Sequence, residues 1–200
     1  MPSVGFWQDV VLFRPPVRLL ACALLGGLLV VSPVHPGESL EYRVKAAFLY
    51  NFARFVEWPP GTYAERFGIC VLGENPFGPA LQRLTEKRVR SVPIAVRELR
   101  SVEEIAHCQV LFVARSQRDE LVEVLARLID KPVLTVSDID GFSRVGGIIE
   151  FYLERNRVRF SVNPHLARRA GLSVSSKLLG LARVVDSGSR SAGGGNAHLR

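Results

Sequence analysis

The sequence predicts a single α/β domain in which helices flank a largely parallel sheet, followed by a C-terminal antiparallel hairpin and helix. Through most of the chain, short and nearly continuous apolar runs alternate with amphipathic segments, an order typical of βαβ units. Continuous apolar runs are typical of strands that are covered on both faces. Near the C-terminus, four polar residues, 154–157, separate two further strand-like runs, which predicts a hairpin.

The first element is a helix predicted over residues 38–57. Glu38 and Ser39 can start it, and apolar residues then recur at the three-and-four spacing of a buried stripe. Trp58 is followed by two prolines and a glycine, which stop the helix because proline cannot continue its hydrogen bonding. The stripe expected to be buried consists of Val44, Ala47, Phe48, Phe52, Phe55 and Val56.

Four strands and three helices are expected to follow in alternation. The strands are the apolar runs at 67–73, 93–97, 110–113 and 132–136. The helices are expected at 77–85, 102–106 and 116–129, the last with Ser116 as its N-cap.

The remainder of the domain is predicted to be a hairpin and one helix. The hairpin strands are 148–153 and 158–162, and apolar and polar residues alternate in the second, so one face meets solvent or a partner. The helix is predicted over 164–185, with Gly171 as a point of interruption. The domain is therefore expected to span 38–185, followed by a Gly/Ser-rich, disordered tail at 186–200.

The N-terminus has the pattern of an export signal. Arg14 and Arg18 precede an uncharged apolar run at 19–31, which ends in a segment of proline, glycine and small residues. Such a run is shorter than the ~20 residues of a stable membrane span. Residues 1–37 are therefore predicted to be a signal peptide, and Cys22 lies too early in the run for a lipoprotein site.

Removal of the signal peptide would leave two cysteines, Cys70 and Cys108. An even pair in an exported protein favours a disulfide. The alternative is two separate buried thiols, which act as small apolar side chains.

The sequence contains no convincing active-site motif, and it predicts neither an enzyme nor a metal or cofactor. No two histidines lie three or four residues apart, and no Gly-x-Ser-x-Gly occurs. Gly146 and Gly147 precede a strand and do not link a strand to a helix, so they indicate a bend or bulge. Nucleic-acid binding is disfavoured although the net charge is +7, because the basic residues are scattered.

Asp138 and Asp140 follow the fourth predicted strand. Ligands of open α/β sheets bind near the carboxyl ends of strands, so these carboxylates could edge a ligand cleft. Aspartate also stabilises turns through its own backbone, and turn formation is the favoured interpretation.

Several blocks, taken in order, resemble the YfiR family of periplasmic proteins over about residues 40–185. The first is Lys45 to Phe52 with Trp58-Pro59, and the most specific lie late in the domain. The blocks are 45–52, 108–113, 133–138, 146–149, 158–163 and 170–179.

The resemblance implies a periplasmic, non-enzymatic inhibitor. Such proteins bind the periplasmic sensing domain of an inner-membrane diguanylate cyclase and hold it inactive, and an outer-membrane lipoprotein can draw them away. It also implies a homodimer and disulfide bonding, which Cys70 and Cys108 fit. A second cysteine pair, found in some members around the Gly-Gly segment, is missing here.

The partner-facing surface is predicted on the last strand and the helix after it, because an amphipathic strand precedes a segment rich in small and basic residues. The candidates are Asn163, Arg168, Leu172, Ser173 and Lys177. The alternatives are that Asn163 caps the helix and that Leu172 packs in the core. An alternative function is a solute-binding module that relays a small ligand to a sensor kinase or receptor.

Overall fold

The computed structural model describes residues 39–63 and 65–185. The predicted signal peptide and the predicted disordered tail lie outside the described residues. The described part forms a mixed α/β domain, as predicted.

Helix α1 spans Leu40–Phe55 and begins where Ser39 accepts a hydrogen bond from the backbone N–H of Tyr42 at 3.3 Å. It ends when the backbone becomes extended at Val56, just before Trp58 and the two prolines. The predicted buried stripe was wrong at Val44 and Ala47, which are exposed, and right at Phe52 and Val56, which are buried. The buried residues are Lys45, Ala46, Leu49, Phe52 and Ala53.

The described residues contain ten strands, numbered here in chain order. Their bounds are β1 Val56–Glu57, β2 Phe67–Leu72, β3 Arg88–Val89, β4 Val92–Leu99, β5 Val110–Val113, β6 Leu134–Ser137, β7 Ile149–Glu154, β8 Arg157–Val162, β9 Ser173–Val174 and β10 Arg183–Val184. The other α-helices are α2 Pro79–Gln82, α3 Leu121–Arg127, α4 Pro164–Arg169 and α5 Ser176–Leu179, and the 3₁₀ helices are Arg83–Glu86, Val102–Ile105 and Arg115–Gln117.

Eight of these strands form one sheet in the order β10-β8-β7-β6-β5-β2-β4-β3. Its centre, from β4 to β7, is parallel. The predicted hairpin is the antiparallel pair β7 and β8, and β3 pairs antiparallel with β4 at the other edge. The remaining strands, β1 and β9, form a small antiparallel pair.

The central strands are covered on both faces, which explains their continuous apolar sequences. Ile69 and Val71 of β2 point into the core that contains α1, whereas Cys70 and Leu72 point into the core that contains α3. On the α1 side, Phe52 is fully buried with its ring centroid 5.0 Å from that of Phe160 and 5.6 Å from that of Phe151. Aromatic packing of this kind holds α1 to the hairpin.

The loop before β7 is shaped by glycine and held by one carboxylate. Glu150 accepts hydrogen bonds from the backbone N–H groups of Gly141 and Ser143, both at 2.9 Å. A side chain on Gly147 would meet the ring of buried Phe142 at 2.1 Å. The Gly-Gly segment therefore forms a tight bend, as the sequence indicated, with Gly146 at φ +120°.

The helix predicted over 164–185 was wrong. Asn163 caps α4 by accepting from the backbone N–H of Leu166 at 3.1 Å, and the chain reverses at Gly171, where φ is +73°. The next residues form β9 against β1, and Ser175 caps the short helix α5. Strand pairing and a second cap therefore replace continuous helix.

The helix predicted over 116–129 is shorter than expected, because α3 begins at Leu121 after a 3₁₀ turn. Ser116 does not cap it. The Ser116 hydroxyl accepts a hydrogen bond from the backbone N–H of Glu74 at 2.9 Å instead, which ties together the loops that follow β2 and β5.

Candidate functional site

A buried ion pair lies at the carboxyl end of β6, where the sequence placed two aspartates. The Lys45 ammonium on α1 donates to Oδ2 of Asp138 at 2.6 Å. Lys45 is 2% exposed and Asp138 is 3% exposed. Buried charges of this kind are rare unless they are paired.

Three further side chains complete the cluster. The Tyr42 hydroxyl donates to the same Asp138 oxygen at 2.8 Å, and Glu41 makes a second ion pair with Lys45. The Arg115 Nε lies 3.3 Å from Oδ1 of Asp138, but this buried oxygen accepts no hydrogen bond from the described residues. The cluster therefore joins α1 to the loops after β5 and β6.

The electrostatic environment keeps Asp138 ionised. Burial by itself raises the pKa of this carboxyl, but the hydrogen bond and charge of Lys45 outweigh that effect, with help from Tyr42 and Arg115. The net pKa of Asp138 is lowered. Burial, together with the hydrogen bond to Asp138, raises the pKa of the Tyr42 hydroxyl.

The cluster is suited to fixing α1 on the sheet. The pKa of the Asp138 carboxyl is lowered and that of the Tyr42 hydroxyl is raised, so both lie farther from neutral pH, the range in which general acids and bases usually titrate.

The Ser137 hydroxyl accepts a hydrogen bond from the backbone N–H of Ile139 at 3.0 Å. Asp140 is exposed and lies in the turn that the hydrogen bond from the Phe142 N–H to the Ile139 carbonyl closes at 3.1 Å. The turn interpretation therefore fits Asp140, whereas Asp138 pairs with Lys45.

The residues predicted to face a partner divide into two groups. Asn163 and Leu172 are 1% and 2% exposed, so their side chains are not available to a partner in this conformation. Asn163 caps α4, and Leu172 packs in the core beneath α1. Arg168, Ser173 and Lys177 are exposed.

The three exposed residues lie on consecutive elements, Arg168 on α4, Ser173 on β9 and Lys177 on α5. We call them the C-terminal surface. Pairing of β9 with β1 and capping of α5 by Ser175, whose backbone N–H donates to Phe55 at 3.0 Å, fix this segment to the end of α1.

A disulfide joins Cys70 of β2 to Cys108, two residues before β5. The two Cα atoms are 5.8 Å apart, and both residues are buried in the α3-side core. The bond links neighbouring parallel strands near the middle of the sheet, so it stabilises the part of the sheet from which the loops extend.

An apolar cavity of about 260 Å³ lies between α3 and α4. Leu125 and Leu166 contribute to its walls, and Thr135 and Ile148 lie where β6 and β7 begin their parallel pairing. The alternative interpretation of the two aspartates placed a ligand cleft at the carboxyl ends of the strands, beside Asp138. This cavity is instead nearer the amino ends of β6 and β7.

Among the described residues, no group of three histidine, cysteine or acidic side chains is placed to hold a metal ion. Within the same residues, no helix has the length and apolar character to cross a membrane.

Sequence reasoning missed Lys45 and Tyr42 as members of the buried cluster. A signal for Lys45 was present, because it lies among the apolar residues of α1 beside Ala46 and Leu49. A lysine on the buried face of a helix requires an acidic partner, and Asp138 after a buried strand was a candidate.

Comparison with protein families shows that residues 42–183 match the family described as YfiR/HmsC-like. The matched span begins at Tyr42 in α1 and ends at Arg183 in β10, and so includes the Lys45–Asp138 ion pair, the disulfide and the C-terminal surface. It covers well over half of the chain. The protein belongs to the YfiR/HmsC-like family.

Proposed function

We propose that this protein is a periplasmic regulator that binds the periplasmic sensing domain of an inner-membrane diguanylate cyclase and represses it, lowering cyclic-di-GMP. The observation that carries the proposal is the family match over nearly the whole described domain. A buried disulfide supports an exported protein, because such bonds persist in oxidising compartments.

The physical basis of repression is a population shift. A regulator changes the activity of its partner only by the difference between its affinities for the inactive and active states. A domain with a rigid frame suits this role, and here a disulfide and a buried ion pair brace the sheet. The proposal includes action as a homodimer and release by an outer-membrane lipoprotein.

We assign the contact with the sensing domain to the C-terminal surface. Arg168 and Lys177 supply two exposed cations on successive short helices, and charged groups at the rim of an interface guide association and set partner choice. The partner surface is expected to be acidic.

The test is a binding and activity assay with charge-reversed proteins. The partner cyclase is first captured from membranes of the same organism, and its sensing domain is then purified. Arg168→Glu and Lys177→Glu are each expected to weaken binding of the regulator to that domain. Both are expected to relieve repression of cyclic-di-GMP synthesis. Arg118→Glu, which reverses an exposed arginine ahead of α3, is the control and should leave both unchanged.

The melting temperature of each variant must equal that of the wild type for the comparison to stand. Unchanged affinity in both Arg168→Glu and Lys177→Glu would remove the C-terminal surface from the proposal. A purified protein that leaves cyclase activity unchanged in reconstituted membranes would overturn the repressor function itself.

A second candidate function, a solute-binding module that relays a small ligand to a sensor kinase or receptor, is favoured by the apolar cavity between α3 and α4. Its volume approaches the lower end for small-molecule sites. A thermal-shift screen of small apolar solutes tests it, with Ala126→Trp, a change in the cavity wall, as the variant that should abolish any stabilisation.

A further inference from the structure

The outward face of α1 carries an apolar stripe that the described domain does not cover. Leu40, Val44 and Ala47 recur at helical spacing, and all three are exposed, Leu40 at 70% and Val44 at 37%. Residues spaced in this way lie on one side of a helix. The stripe lies on the side of α1 that faces away from its buried residues, such as Leu49 and Phe52.

The stripe lies in a groove of about 600 Å³ between α1 and the segment formed by α2 and the following 3₁₀ helix. Ala80 and Leu84 line it from that segment, and each is 4% exposed. The groove thus has an apolar floor and two helical walls. A groove of this form is the usual receptor for the apolar side of an amphipathic helix.

The charges around the groove have mostly one sign. Arg43, Arg83 and Lys87 line it, and Glu86 is the acidic residue among its lining side chains. At the far end Tyr50 lies between cations, with Lys87 Nζ 5.4 Å from its ring centroid and the Arg54 guanidinium carbon 5.6 Å from it. An occupant of opposite charge is therefore favoured.

We propose that this groove binds an acidic amphipathic helix of a partner protein. Its leucine-like side chains would lie on the Leu40, Val44 and Ala47 stripe, and its carboxylates would face the cations of the rim. The residues are different from those of the C-terminal surface, so the inference stands whether or not the protein represses a cyclase.

The charge pattern argues against the other occupants. A second copy meeting this face across a twofold axis would bring like-charged grooves together. Residues 1–38 contain Asp9 and Glu38 against Arg14 and Arg18, so they supply no acidic segment. An anionic membrane would meet a flat basic surface, whereas these cations surround a concavity.

The experiment uses the purified full chain, processed as in its own cell, and a library of helical peptides. The peptides share leucine, isoleucine, phenylalanine or valine along one face and vary among glutamate, lysine and glutamine on the other. Peptides retained by the wild type are expected to be rich in glutamate, and their affinity should fall as salt is raised. Val44→Asp and Lys87→Glu should each reduce that affinity at least tenfold.

The matched control is Val122→Asp on α3, which changes a valine that is 69% exposed at a position outside the groove. It should bind the selected peptides like the wild type. Melting temperatures verify that each variant is folded, and Arg83→Glu replaces any variant that is not.

Three results would overturn the proposal. The first is a selection without glutamate enrichment, or one that Val44→Asp and Lys87→Glu do not affect. The second is competition for the groove by vesicles of anionic phospholipid but not by acidic helices, which would make it a membrane-contact surface. The third is a dimer in solution that Val44→Asp alone dissociates, which would make the groove a contact between copies.

Discussion

Replacement of Lys45 by methionine tests whether the buried ion pair fixes α1 to the sheet. Methionine keeps most of the side-chain length but removes the charge that compensates Asp138, which is 3% exposed. Loss of one partner from a buried pair costs about 3–5 kcal/mol because the other charge remains in the interior. Tyr42 and Arg115 stay beside Asp138, so we expect a loss near the lower end, about 3 kcal/mol.

The double variant Lys45→Met/Asp138→Asn separates this explanation from a simple loss of packing. With both charges removed, the desolvation penalty of the orphaned carboxylate disappears. The double variant should therefore be more stable than Lys45→Met alone, with a coupling energy of about 1–3 kcal/mol.

Urea unfolding at neutral pH, followed by tryptophan fluorescence and circular dichroism, measures these free energies. Lys177→Met is the matched control, because Lys177 is exposed and such changes usually stay within about 0.5 kcal/mol. The reasoning fails if Lys45→Met loses less than about 1 kcal/mol, or if the double variant loses the sum of its two single changes.

Three further substitutions test the charge of Asp138, the disulfide and the close packing at Gly68. The pKa of Asp138 is lowered in the fold. Its contribution to stability is therefore present above the ordinary aspartate pKa, near 4, and is lost as pH falls through the folded value. The free energy of unfolding should therefore fall less steeply with decreasing pH for Asp138→Asn than for the wild type. The double variant Cys70→Ala/Cys108→Ala removes the disulfide, which closes a separation of 38 residues, and should lower the free energy of unfolding by about 3–4 kcal/mol. Reductant should not affect the urea midpoint of this variant. Gly68→Ala should cost more than about 1 kcal/mol in the same urea assay, because its new Cβ would lie 1.9 Å from the backbone oxygen of His107; wild-type stability would contradict the close approach.

The central strands were predictable because their sequences reflect burial on two faces. Runs such as 110–113 have no polar residue, and the structure buries every residue of β2, β5 and β6. The hairpin was equally clear, since four polar residues separate its two strands. These features depend on local pattern and on chain order, which the sequence contains directly.

The errors arose where tertiary contacts compete with local preference. Val44 looks like a core residue by its spacing, but Lys45 is drawn inward by Asp138, 93 positions away. Residues 173–174 could extend a helix, yet β1 offers a strand partner across more than a hundred residues. Leu172 shows the same competition, because it follows the turn at Gly171 and packs in the core, the alternative to a place on the partner-facing surface.

The competition at α1 also bears on function. Its inner face is held by Phe52 among the hairpin aromatics and by Lys45 at the sheet edge, so the helix does not need its outer apolar stripe for attachment. Apolar residues at Leu40 and Val44 are then free to serve contacts outside the domain, and the helix that presents them is fixed in place. A surface that is already ordered before binding loses less entropy when a partner docks. In the proposed recognition, the buried ion pair helps to hold in place the helix that lines the outer groove.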